Sequence, residues 1–300
     1  MPRIFNLAGE GRRTAMRWNE GRRSDNVEDR RGTRVSRGMM GGGIGTIILV
    51  LVALYFGVDP SMLLNQGPPS DVSQPAGQIS QQRPAEENRL ADFVSVVVAD
   101  TEDTWNELFR RSGKTYKEPK LVLFTGAVNS ACGFAQSAMG PFYCPQDNKV
   151  YIDLQFYRDL QDRFHAPGEF AQAYVIAHEI GHHVQNLLGI SDKVQSLQQN
   201  TDRAQANNLS VRLELQADCL AGIWAHHADR SRNIVEAGDI EAALRAASSI
   251  GDDRIQKQSQ GYVVPESFTH GSSEQRVRWF KRGIETGDFA QCNTFKTGNL

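Results

Sequence analysis

Twenty-one consecutive residues without a charge, 38–58, divide this chain of 300 residues and constrain it more than any other feature. Within them Ile44–Val58 is almost wholly apolar. As a helix the stretch rises about 31 Å, which matches a bilayer core of about 30 Å. A cleaved export signal would need a short basic lead and a small-x-small site. Here the lead is 37 residues long, and Tyr55-Phe56-Gly57-Val58 offers no such site. The stretch therefore predicts an uncleaved transmembrane anchor over 38–58.

The anchor separates unlike flanks. Residues 1–37 hold ten arginines, no lysine and five carboxylates, for a net charge of +5. From Asp59 to Asn88 the only basic residue is Arg83. The positive-inside rule then predicts a basic cytoplasmic tail (1–37) and export of everything beyond the span. The four cysteines, Cys132, Cys144, Cys219 and Cys292, all lie beyond it, which fits an oxidising compartment. Cys132 and Cys144 flank a Gly- and Pro-containing turn and make the favoured pair. Cys219 and Cys292 are then left to pair or to stay free.

Residues 59–88 are rich in Pro, Gln, Ser and Gly without apolar periodicity, and read as a flexible linker. The folded domain is expected over 89–300. Leu90, Phe93, Val97, Trp105 and Leu108 recur at helical spacing and predict one or two helices ending by Gly113. Lys120–Thr125 and Val150–Leu154 read as strands, with a loop or hairpin at Ala131–Gln146 between them. A long helix follows Gly168, with Gly189 placed as its C-cap. Further helices are expected over about Leu209–Ala228, Ile234–Ile250 and Ser273–Glu285. The composition is ordinary for a globular protein, with net charge −2 and 40% hydrophobic residues. The expectation is an α+β domain, mostly helical with a small β-sheet.

The chemistry concentrates in the middle of the long helix, at His178-Glu179-Ile180-Gly181-His182. Residues four apart on a helix differ by about 40° around the axis and roughly 6 Å along it, so both imidazoles can reach one cation. Glu179 is rotated by about 100° and can reach water at the metal without being a ligand. Two histidines and a glutamate among Ala177, Ile180 and Val184 also need partners if the helix is buried.

Catalytic zinc takes three protein ligands and an open position. A third histidine six residues after His182 is ruled out, because Leu188 stands there. Glu214, 32 residues after His182, supplies a carboxylate instead. Asp218, four residues on, shares its face and can accept the remaining N–H of a ligand histidine. In such a site zinc lowers the pKa of water to about 7 and Glu179 accepts its proton during attack on a carbonyl. His270 and Arg276 are the candidate donors to the oxyanion. His183 is expected to face solvent or a neighbouring polar group, and His165, His226 and His227 are left without a role.

These residues resemble the bacterial, membrane-anchored putative neutral zinc metallopeptidase family. The likeness covers nearly the whole chain except the linker. It is carried by Met16-Arg17-Trp18, Ser24–Gly32, Gly140–Pro145, Val150–Leu154, the HEIGHH helix, Glu214–Cys219 and Ser267–Gly271. The resemblance implies a gluzincin-like (zincin-like) catalytic core with one zinc ion held by His178, His182 and Glu214. Together with the predicted anchor, it makes the leading expectation a peptidase that hydrolyses peptide bonds outside the cytoplasmic membrane, acting on peptide or protein substrates.

Two other functions fit parts of the sequence. A catalytically silent, zinc-stabilised membrane adaptor would need the ligands but not Glu179. A nucleic-acid tether would use the arginine-rich arm, but its interspersed carboxylates favour protein or lipid contact, and no nucleic acid is expected.

Overall fold

The computed structural model describes residues 16–33, 84–298 and 300. The expected span 38–58 and most of the linker lie outside the described residues. No helix among the described residues is long and apolar enough to cross a membrane.

Helix α1 (Ala85–Arg111) opens the main body, with Glu86 and Glu87 in its first turn and Arg110 and Arg111 in its last, each sign suited to the helix dipole. Strands β2 (Lys120–Phe124) and β6 (Lys149–Asp153) pair in parallel, and β5 (Phe142–Cys144) runs antiparallel to β6. Strands β3 (Ala127–Ser130) and β4 (Gly133–Gln136) form a separate hairpin. Helices α2 (Gln155–Asp162), α3 (Glu169–Leu187), α4 (Ile190–Gln198), α5 (Arg203–Arg232), α6 (Asp239–Ser249), α7 (Asp252–Gln260) and α8 (Ser273–Thr286) complete the described elements. The expected α+β class holds. The expected helices are present, and α2, α4 and α7 are additional; each is only two or three turns long and offers little periodicity to read.

Helices α3 and α5 cross at the core, and Gly181 explains how closely. A Cβ there would stand 3.0 Å from the Ala217 carbonyl oxygen, so a larger residue would push the two helices apart. At the crossing of α5 with α8 a Cβ on Gly283 would overlap the Cys219 carbonyl. The favoured pair Cys132–Cys144 is formed, and Cys219 and Cys292, left open by the sequence, are paired as well. The second ties α5 to the C-terminal turn, closing a separation of 73 residues.

The N-terminal segment requires a correction. Residues 16–33, read as part of a tail separate from the domain, belong to the folded body. Strand β1 (Val27–Asp29) pairs in parallel with β2, giving a four-stranded sheet in the order β1-β2-β6-β5. Met16 and Trp18 are buried in the main core, and Trp18 packs edge-on against Phe93 of α1. Two isolated apolar residues and a three-residue strand carry no periodic signal. Only the surface that receives them gives them a role.

Candidate metal centre

His178 and His182 lie one turn apart on α3, and Glu214 reaches them from α5. The His178 Nε2–His182 Nε2 and His178 Nε2–Glu214 Oε2 distances are both 3.2 Å, and His182 Nε2–Glu214 Oε1 is 3.5 Å. Ligands about 2.0–2.1 Å from a tetrahedral zinc stand about 3.3–3.4 Å apart, so this triangle fits the ion. The donor chemistry agrees. Asp218 accepts from His178 Nδ1 at 2.9 Å, and Gln185 Oε1 accepts from His182 Nδ1 at 2.9 Å. Both imidazoles must therefore carry hydrogen on Nδ1, which turns two Nε2 lone pairs toward each other. A cation between them removes that repulsion.

Charge is arranged accordingly. Burial opposes ionisation of Glu214, yet His182, His270 and His178 hold it well below the usual carboxylate range. Burial also opposes charge on His178, but Asp218 and Glu214 outweigh it and raise its pKa to about 10. The carboxylates thus demand positive charge between them, as protons or as a dication. Glu179 differs. Burial pushes it above its ordinary value, although both imidazoles pull it down. It lines the same cleft and is not one of the three residues whose ligand atoms converge.

Asp218 is fully buried and heavily bonded. It accepts from His178, from the Tyr174 hydroxyl, and from Arg276 Nε and Nη2, both at 2.9 Å. His270 and Arg276, the expected donors, both line the cleft beside the ligands, but in different surroundings. Arg276 is 2% exposed, and its guanidinium bonds Asp218 and, at 3.3 Å, the Ile250 carbonyl. Its reach toward the metal therefore passes through Asp218 and His178. The His270 side chain keeps 21% of its exposure on the cleft wall. Asp252 sets its turn by accepting from the backbone N–H groups of Thr269, His270 and Gly271 at 2.7–2.9 Å.

Three supporting residues escaped the sequence reading: Gln185, Tyr174 and Asp252. Gln185 is fully buried and donates to the Leu213 carbonyl and to Gln216, so it both orients His182 and ties α3 to α5. A polar residue one turn beyond His182, on a helix otherwise apolar, was the available signal. The solvent option for His183 is corrected as well. It is fully buried between Tyr143 and the Lys117 carbonyl, and burial lowers its pKa to about 4. His226 and His227 bond the Ile284 and Gly287 carbonyls, away from the centre.

The three ligands open into a cleft of about 340 Å³. Its lining combines polar Glu179, Glu214, His270 and Arg276 with apolar Met139, Pro141, Phe142, Phe156 and Val175. A larger groove of about 600 Å³ lies between residues 16–22 and the end of α5, but among the described residues the only group of three His, Cys, Asp or Glu side chains placed so that they could hold a metal ion is His178, His182 and Glu214.

Comparison with known proteins agrees with this geometry. The family model described as "Putative neutral zinc metallopeptidase" matches residues 16–295. An uncharacterized protein of Escherichia coli (strain K12), YpfJ, is 54% identical over 289 residues, covering 93% of this chain and 99% of its own. An uncharacterized protein of Mycobacterium tuberculosis (strain ATCC 25618 / H37Rv), Rv2575, is 41% identical over 261 residues, covering 83% of this chain and 86% of its own. No solved structure matches the chain. The match to the family over nearly its full length, with zinc as the implied cofactor and a ligand triangle that fits it, makes this chain a member of the putative neutral zinc metallopeptidase family.

Proposed function

We propose that the chain is a zinc-dependent endopeptidase acting on peptides or proteins outside the cytoplasm. The observation that carries this reading is Glu179 lying beside, but outside, a three-ligand triangle that opens into a cleft. When bound, zinc supplies a Lewis acid that makes water a nucleophile near neutral pH and polarises the substrate carbonyl. Glu179 takes the proton from the attacking water and passes it to the leaving amine. Its raised pKa suits both halves of that transfer. His270 stands on the cleft wall where it can donate to the developing oxyanion. Asp218, steadied by Arg276 and Tyr174, holds the His178 ring, and Gln185 holds His182.

The cleft also suggests how a peptide lies. Strand β5 is one of the two edges of the four-stranded sheet among the described residues, and Phe142 and Tyr143 on it line the cleft. An extended peptide can add to that edge through main-chain hydrogen bonds, placing an apolar side chain against Phe142, Phe156 and Val175. Such binding needs no chain terminus, which favours internal cleavage.

Two disulfides support a site of action in an oxidising compartment. The uncharged, apolar residues 38–58 are the part of the chain suited by composition to contact a membrane.

The test is a peptide-library digest with the purified full chain, with and without a chelator, beside Glu179→Gln. The expected result is chelator-sensitive internal cleavage, lowered about 10²–10⁴-fold in the variant while bound zinc stays at one per chain. Zinc-loaded protein that cleaves nothing, or a variant as active as the parent, would overturn the endopeptidase reading in favour of a silent adaptor or another base.

A further inference from the structure

We infer that residues 16–33 and residues 84–300 stand on the same side of any membrane this protein meets, so that residues 34–83 cannot connect them by a single crossing. The single-pass topology predicted from the basic arm places them on opposite sides, and the packing of the folded body forbids that.

The observations are independent of the metal site. Strand β1 is registered against β2 over three residues, Val27 with Leu121 through Asp29 with Leu123. The pairing extends on either side, with Leu121 N donating to the Asn26 carbonyl at 2.8 Å and Arg30 N to the Leu123 carbonyl at 2.8 Å. Trp18 donates to Glu169 Oε2 at 3.0 Å, at the first turn of the metal-bearing helix α3. A Cβ on Gly21 would lie 2.4 Å from a Val96 methyl, so the segment is pressed onto α1.

Glu102 of α1 is the most telling residue. It is 2% exposed, and its carboxylate accepts from Arg22 Nη2, Ser24 Oγ and Asn26 Nδ2, all within the segment. Removing the segment to the far side of a membrane would strip all three donors from a carboxylate buried beneath it.

The same contacts explain why the basic arm misled. A positive-inside argument treats arginines as solvated charges facing a cytoplasmic leaflet. All five arginines among the described residues of the arm are paired with carboxylates instead: Arg17 with Glu236, Arg22 with Glu102 and Asp103, Arg23 with Asp92, Arg30 with Glu28, and Arg31 with Asp29. The family match also begins at residue 16, ahead of the apolar stretch, as expected if the segment is part of the catalytic body. With the disulfides placing that body in an oxidising compartment, residues 16–33 share it.

The test uses the full chain in its native membrane, carrying Arg23→Cys and Asp92→Cys. Their charged groups are 2.7 Å apart, and the side chains are 44% and 42% exposed, so the replacement costs little and leaves both thiols reachable. A protease site is inserted within residues 59–83, and intact membranes are treated with a short bismaleimide before digestion. Most chains should run as one cross-linked species on a denaturing gel after cleavage. Two separate fragments would overturn the inference.

Each single-cysteine variant, labelled in intact cells with an impermeant maleimide, gives a second measure, since the native cysteines are paired. Both positions reacting alike supports the inference; labelling at one and protection at the other overturns it. Neither readout involves hydrolysis, so failure here leaves the endopeptidase reading standing.

Discussion

The metal centre and the N-terminal segment both rest on ionic contacts, yet they use them in opposite ways. At the centre, Arg276 and Asp218 are 2% and 0% exposed in their side chains and share their hydrogen bonds with Tyr174 and His178. In the segment, four of the five arginines keep roughly a third to a half of their side chains in water. A buried pair costs several kcal/mol when one partner is removed, because the other charge is stranded. An exposed pair is worth about 0–1 kcal/mol. The centre is therefore held by its charges, whereas the segment is held by Trp18, Met16, strand pairing and the buried Glu102 carboxylate, with its exposed ion pairs secondary.

That contrast can be broken by substitution. The largest effect is expected for Arg276→Ala, which leaves the Asp218 charge buried. Stability of the zinc-loaded protein should fall by about 3–5 kcal/mol in denaturant melts. Zinc affinity, read by competition with a chromophoric chelator, should fall about 10–100-fold as His178 loses its support. A loss under 1 kcal/mol would mean that the network is ornamental. Trp18→Ala comes next, at about 3 kcal/mol, because it empties a core site against Phe93 and removes the bond to Glu169. Its zinc affinity should stay within a few-fold of the parent, which separates packing from ligand orientation.

Arg23→Ala should cost no more than about 1 kcal/mol, and a much larger loss would refute the view that the segment's ion pairs are secondary.

The smallest and most specific effect concerns pH. Asp239 at the start of α6 is buried like Asp218, but its charged neighbours are Glu236, Glu169 and Glu241 rather than an arginine. Burial, with those carboxylates, raises its pKa to about 6. A carboxyl raised in the folded state contributes stability that is fully present below its unfolded value near 3.9, and is lost as pH rises through about 6. Asp239→Asn should therefore gain on the parent in thermal melts between pH 4.5 and pH 7.5. A constant difference across that range would show that Asp239 titrates normally.

How much of this was legible follows from the kind of signal each part carries. His178, Glu179 and His182 could be placed because a helical period converts spacing into shared faces, and the same rule tied Glu214 to Asp218. The strands expected at Lys120–Thr125 and Val150–Leu154 lie within one residue of those observed, because short apolar runs bounded by turn signals were readable. Gln185 and Asp252 were not readable in their roles, since each acts on a group set by another helix or turn. The surroundings of His270 and Arg276 were not readable for a related reason, although both line the cleft. Six residues of spacing do not say that Arg276 is also claimed by a buried carboxylate on α5 while His270 keeps part of its exposure.

The amino-acid order alone determined the metal chemistry, because the ligand pair and the base lie within one helical turn and need only local geometry to converge. It also determined the class of fold, through apolar periods long enough to read. Tertiary structure decided the rest. It brought α3 and α5 together at Gly181, chose Asp218 as the hub of the buried network, and turned an apparently solvated basic arm into a strand and anchor of the body. Charge along a chain shows how many arginines there are, but only the opposing surface, with Glu102, Asp92 and Glu236 on it, decides whether they face water or a partner.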